Sequence, residues 1–232
     1  MLRSATVADA VAKHGIRKSV EFEITDMIGR VWIEDEGPLA FLVRSPPDSV
    51  LQAHFHTLPQ FQVFTAGDAW FGRHPVRPGS VHYADGYSPY GPIRGAGEAW
   101  HTYCTLRPYW ERSIHYVPEE IELAKGRRGR SLTGHAAAPG ARRPGLRDLF
   151  VEPDGVSARE FVARAGERIP ALGGAGYYLV LDGEVIFGGE TLPFESCLWA
   201  DADDAPNLQA GPAGAVLVLL TFARKLQRPA PN

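Results

Sequence analysis

The segment Ala53-His-Phe-His-Thr-Leu-Pro-Gln-Phe-Gln-Val-Phe-Thr-Ala-Gly67, followed by Gly72-Arg-His-Pro-Val-Arg-Pro-Gly-Ser-Val-His82, gathers the residues best suited to chemistry. In an extended strand His54 and His56 point to one face with Cα atoms about 6–7 Å apart, so both imidazoles can reach one metal ion. Thr57-Leu-Pro59 can turn the chain so that Gln60 opens the next strand, aimed at the same interior. His82 would add a third imidazole and leave a coordination position open to substrate or water. Three neutral nitrogen donors suit Fe(II), Zn(II), Ni(II) or Cu(II), and their spacing does not choose among these. The alternative is a histidine-lined cavity that holds no metal.

The elements that must position these groups are strands. Arg30–Glu34, Leu39–Val43, Phe61–Thr65 and Tyr177–Leu181 are rich in Val, Ile, Phe, Tyr and Trp and are bounded by glycine and proline turns. Many short strands at close spacing predict a barrel or sandwich. Helix is expected only at 5–14, capped by Ser4 or Thr6, and at 119–125 after Pro118. Gln62-Val-Phe-Thr-Ala-Gly67 and Tyr178-Leu-Val-Leu-Asp-Gly183 each read as a strand running into a glycine turn, and each is followed by a proline turn. This weak internal repeat suggests a duplicated β-unit.

Between the halves the character changes. Residues 125–147 carry seven basic side chains (Lys125, Arg127, Arg128, Arg130, Arg142, Arg143 and Arg147) and no acid. Gly134-His-Ala-Ala-Ala-Pro-Gly-Ala141 has little to bury, so a solvated linker is expected, with an anionic partner or lid contact as the alternative. The organisation predicted is an N-terminal lobe over 1–124, a basic flexible linker over 125–147 and a second lobe over 148–232.

The whole chain has 232 residues, 44% of them hydrophobic, and a net charge of −3. That composition belongs to a globular protein able to bury a full core, and it argues against a dedicated nucleic-acid binder. No apolar run reaches the length of a membrane span. The start Met1-Leu2-Arg3-Ser4-Ala5 lacks the pattern of a signal peptide, and only two cysteines occur, Cys104 and Cys197. A cytoplasmic protein with free thiols is therefore expected.

On the histidine segment the sequence resembles the cupin superfamily. Its first motif is matched by His54, His56, position 60 and Gly67, with Gln60 where the acid usually stands. Its second is matched by Gly72, Pro78, Gly79 and His82, with one residue missing between Pro78 and Gly79 and with Gly86 where Asn is common. The resemblance implies an all-β fold, a double-stranded β-helix or jelly-roll barrel, here duplicated as a compact bicupin. No histidine follows His135, so the second half resembles a cupin that has lost its metal site. The resemblance further implies one divalent metal on His54, His56 and His82, with Gln60 as a weak ligand or a hydrogen-bonding group. Fe(II) is the favoured ion and Zn(II) or Ni(II) the alternatives.

Gln60 leaves a bound ion its full double charge and removes the obvious general base. Three-histidine iron sites occur among cupin dioxygenases, so the activity implied is oxidative cleavage of a small chelating organic acid, phenol or diketone. A Zn- or Ni-dependent lyase or isomerase, or a non-catalytic pirin-like ligand-binding protein, is the alternative. His101 could serve as an acid or base if its strand lines the barrel, or it could be an ordinary buried histidine. Tyr87, Tyr90 and Arg94, in the Gly/Pro-rich loop after His82, are candidate substrate contacts. The partner expected is a small molecule, with no nucleic acid and no membrane; a homodimer through strand edges is common in cupins.

Overall fold

The computed structural model describes residues 2–18, 22–28, 37–110, 114–127 and 129–224. The strand expected at Arg30–Glu34 and the charge of Arg128 lie outside them. The chain divides into two compact units, one over residues 14–133 and one built from residues 134–226 together with residues 1–13.

In the first unit the strands lie in the order Ser131–His135, Ser80–Ala84, Gln60–Ala66, His101–Arg107, Leu39–Ser45, Glu23–Ile28 and Arg17–Lys18. A four-stranded sheet (Val50–Leu51, Ile93–Ala96, Asp68–Phe71, His74–Val76) and the pair His54–Phe55 with His115–Tyr116 complete it. Its core joins Val43, Phe64, Phe71, Tyr90, Ile93 and Tyr103. Alternation along Leu39–Ser45 and His101–Arg107 sends Leu39, Phe41, Val43, Tyr103, Thr105 and Arg107 to one common face.

In the second unit the order is Arg3–Ala5, Cys197–Ala200, Gly176–Phe187, Leu208–Thr221, Ser157–Ala163 and Gly145–Val151, with Glu190–Pro193 paired to Gly176–Phe187. Arg3–Ala5 pairs with Cys197–Ala200, which is why the first residues belong to this unit and not to a lobe beginning at residue 1. The one α-helix among the described residues runs Val7–His14. Thr6 caps it, accepting the Asp9 backbone N–H at 3.0 Å and donating to the Asp9 carboxylate at 2.7 Å. At 119–125 only a single 3-10 turn forms, Ile121–Ala124.

The segment expected as a flexible linker is partly regular. Ser131–His135 is a strand, and Arg147 lies in the strand Gly145–Val151. Its cations are matched by neighbours: Arg127 stacks 3.5 Å from the Tyr87 ring centre, Arg130 pairs with Asp85, Arg142 with Asp182, and Arg147 with the buried carboxylate of Glu160.

The internal repeat is visible at two glycines. Gly67 has φ +66°, and a Cβ there would stand 2.3 Å from the carbonyl oxygen of Trp100. Gly183 has φ +68°, and its Cβ would stand 2.2 Å from the carbonyl oxygen of Gly214. In each unit a positive-φ glycine lets the backbone of another segment pass close by, but only Gly67 stands between strands; Gly183, expected as a turn, lies within the strand Gly176–Phe187 beside a shift of register. Gly67→Ala meets both restrictions, the φ and the contact. It is expected to lower stability by about 2–4 kcal/mol, read as a fall in the urea midpoint of the full chain.

Candidate functional site

A straight row of cross-strand partners crosses the first unit's main sheet: Asp26, Phe41, Thr105, Gln62 and His82. Partners in antiparallel register share a face, and the first four of these line a cavity of about 280 Å³. His54, His56, Gln60, Tyr90, Tyr103 and Arg107 also line it, with Phe22, Trp110, Ile114 and Tyr116 among its apolar walls.

The loop after His82 is zipped onto the His54–His56 segment. The backbone N–H of His54 donates to the Tyr90 carbonyl, and that of Tyr90 donates to the His54 carbonyl, each at 3.0 Å. Tyr87 N–H reaches the His56 carbonyl at 2.6 Å. The close approach explains Gly86, where any Cβ would stand 2.2 Å from the Thr57 carbonyl oxygen. The pairing packs the Tyr90 ring among the three histidines, its centre 4.5 Å from that of His54, 5.3 Å from His82 and 6.4 Å from His56.

Gln60 joins Tyr90 to a buried cation. Arg107 is 4% exposed, and its Nε–H donates to Gln60 Oε1 at 3.0 Å. An arginine can only donate, so the Gln60 oxygen must face it and the amide NH₂ must face Tyr90. The Tyr90 hydroxyl oxygen therefore accepts from Gln60 Nε2.

His54 and His82 are held as neutral groups. His54 Nδ1–H donates to the Gln52 carbonyl at 2.7 Å, which leaves the lone pair on Nε2. Burial lowers its pKa to about 4, with the charge of Arg107 adding to the shift against the Gln52 hydrogen bond. Burial lowers that of His82 to about 3. With Gln62 Oε1 facing it at 3.1 Å, His82 Nδ1 carries the proton, and Nε2 accepts from the Ser131 hydroxyl at 2.8 Å.

The structure brings His54, His56, Gln60 and Tyr90 to the cavity. It does not bring His82 there: that ring packs 4.2 Å from Phe71 and borders a separate void of about 10 Å³. With Tyr90 among the rings and both His82 nitrogens engaged, the side chains do not fit a shared metal ion as they stand. Among the described residues no group of three or more His, Cys, Asp or Glu is arranged to hold one.

The remaining candidates lie off the cavity. Tyr87 stacks with Arg127, and Arg94 is exposed on the small sheet, its guanidinium reaching the Gly72 carbonyl at 3.3 Å. His101 is buried at the other end of its strand, stacked on Tyr103, with Nδ1 unpartnered. Sequence reasoning missed Arg107, Gln62, Thr105 and the Arg17–Asp26 pair. Alternation from Tyr103 to Thr105 to Arg107 would have aimed Arg107 inward, had the inward face of that strand been known.

No model of a known protein family matches the sequence, and no curated protein does. Solved structures match over nearly the whole chain. The pirin YhhW of Escherichia coli in complex with nickel(II) is 13% identical, with 96% of this chain and 100% of that one covered and a TM-score of 0.58. Pumpkin seed globulin is 9% identical, with 97% and 86% covered and a TM-score of 0.64. AerE from Microcystis aeruginosa is 15% identical, with 88% and 93% covered and a TM-score of 0.57. The chain has the cupin fold. The antiparallel sheets and their near-full overlap with these structures bear out the all-β bicupin expectation. No described helix is long and apolar enough to cross a membrane.

The lowered histidine pKa values set a pH dependence. Both rings stay neutral in the folded chain down to about pH 4, whereas in the unfolded chain they take up protons below about 6.5. Their stabilising contribution is thus full above pH 6.5 and is lost as pH falls through the window from 6.5 to about 4 for His54 and to about 3 for His82. The urea midpoint is expected to fall across that window, and to fall less steeply in His82→Gln, whose amide does not titrate there.

Proposed function

We propose that the cavity of the unit over residues 14–133 binds a small organic molecule, using aromatic walls and a buried polar cluster in place of a three-histidine metal centre. The observation that carries this reading is the position of Tyr90. Its backbone is paired to His54, its hydroxyl is held by Gln60, and its ring occupies the space among His54, His56 and His82. A cavity of about 280 Å³ corresponds to roughly nine water volumes of about 30 Å³ each, near the lower end of small-molecule sites. The fold does not choose the function, since the similar structures include a seed globulin as well as a nickel-bound pirin.

A metal-dependent enzyme, with a dioxygenase first among its forms, is the second reading. It is favoured by His54 and His56, whose ring centres lie 5.2 Å apart on the cavity wall beside Gln60. The nickel complex of the similar pirin points the same way. That reading requires Tyr90 to leave its place and His82 Nε2 to give up Ser131, while Nδ1 can keep Gln62.

Metal analysis of protein purified without a metal-binding tag, paired with thermal denaturation against small organic molecules, separates the two. The binding reading expects no stoichiometric transition metal, even after incubation with Fe(II), Zn(II) or Ni(II). It also expects a rise in Tm with cavity-sized ligands that is lost in Leu51→Trp, which fills the cavity from its wall. A near-stoichiometric metal that disappears in His54→Ala/His82→Ala would contradict it.

A further inference from the structure

Four buried side chains on the cavity wall carry hydrogen-bonding groups that meet no partner among the described residues. His54, Gln62, Tyr103 and Thr105 all line the cavity, and each is at most 2% exposed. His54 Nδ1–H is engaged by the Gln52 carbonyl, so its Nε2 presents a bare lone pair. Gln62 Oε1 faces His82, so its amide NH₂ points away from that ring and finds no acceptor among the described residues. The hydroxyls of Tyr103 and Thr105 likewise have no described partner, and burial pushes the Tyr103 phenol up, so it keeps its proton. Unpartnered polar atoms sealed from all open space do occur elsewhere, at Ser88, His101 and Ser196. The four on this wall are not among them and open onto the cavity.

Strand register brings these groups together. Thr105 and Gln62 are direct cross-strand partners, and Tyr103 stands two residues before Thr105 on the same face. His54 enters from a third strand, the pair of His115–Tyr116. A wall that only had to be packed would carry apolar side chains here, since a buried polar group without a partner is destabilising. Only water or a ligand can meet these four. His54 Nε2 can only accept, the Gln62 NH₂ can only donate, and the two hydroxyls can do either. A matching ligand must therefore offer a donor as well as an acceptor. A carboxylate brings no donor for His54, and both arginines of the lining are already engaged, Arg17 by the two oxygens of Asp26 and Arg107 by Gln60. A hydrocarbon would displace water from all four groups and replace none of its hydrogen bonds.

We infer that the ligand is an uncharged molecule whose ring-sized apolar body carries an amide or an alcohol, and that His54, Gln62, Tyr103 and Thr105 receive that group. The assignment rests on the cavity-binding reading above and gives it a ligand class. Amide and alcohol share the needed chemistry, a donor beside an acceptor without a charge. Phe22, Phe41 and Trp110 supply apolar wall for the remainder of the molecule.

The test is calorimetric titration of the full chain with phenylacetamide, 2-phenylethanol, phenylacetate and propylbenzene. The amide or the alcohol is expected to bind at least about 10-fold tighter than the acid and the hydrocarbon, and whichever of the two binds tighter identifies the polar group. Tyr103→Phe and Thr105→Val each delete one hydroxyl and keep the shape of the side chain. Each should narrow that margin about 3–10-fold, the range of one neutral hydrogen bond. Neither should lower the urea midpoint of the ligand-free chain, because no described partner is lost. A lower midpoint with an unchanged margin would mark the hydroxyls as supports of the fold and contradict the assignment. The ligand series on the unaltered chain decides the matter even where a variant fails to fold. Propylbenzene that binds as tightly as the amide and the alcohol, or phenylacetate that binds tighter than both, would overturn the ligand class while leaving cavity binding intact. Failure of all four to bind would overturn both this inference and the reading on which it rests.

Discussion

The hydrogen bond from Arg107 to Gln60 is the constraint on which the rest of the site depends. A guanidinium that is 4% exposed cannot shed its charge and needs an acceptor where water is scarce. Gln60 Oε1 supplies one, and in doing so it fixes which way its own amide faces. The amide then holds the Tyr90 hydroxyl, while the Tyr90 backbone is paired to His54. One buried cation thus orients a glutamine, a tyrosine and, through the tyrosine, the packing of the histidines. Glutamine at position 60 suits this role, because it accepts from the arginine at one end and donates at the other.

The same arrangement decides the charge state of the site. Burial already disfavours imidazolium, and the positive charge of Arg107 adds to that at His54. The rings of His54 and His82 are accordingly neutral packing and hydrogen-bonding groups. His82 shows this most fully: it sits at the end of a polar cross-strand row, satisfied on one side by Gln62 and on the other by Ser131. A lone pair that accepts a serine hydroxyl is not presented to a metal.

Much of the fold was legible because its determinants are local. Runs of β-branched and aromatic residues between glycine and proline turns marked Leu39–Val43 and Phe61–Thr65, and the strand-then-glycine pattern ending at Gly67 and at Gly183 suggested the duplication before any contact was known. About half of the site was legible for the same reason. His54 and His56 are two residues apart in an extended segment, Gln60 follows within four residues, and Tyr90 stands in the loop after His82. The direction of His82 was not legible, since it depends on Ser131, 49 residues away and inside the stretch that sequence patterning read as a linker. Arg107 was hidden as well: an inward arginine is known only once register has decided which face is inward. The basic segment misled because its acidic partners Asp85, Asp182 and Glu160 lie far from it in sequence.

The account therefore makes one claim about a single place in the molecule: the space among His54, His56 and His82 belongs to the Tyr90 ring, and not to a metal ion. A crystal structure grown with Ni(II) tests this most directly. The expected result is the Tyr90 ring in place with Gln60 on its hydroxyl, and His82 still bonded to Gln62 and Ser131. A nickel ion held by His54, His56 and His82, with Tyr90 swung out, would contradict it.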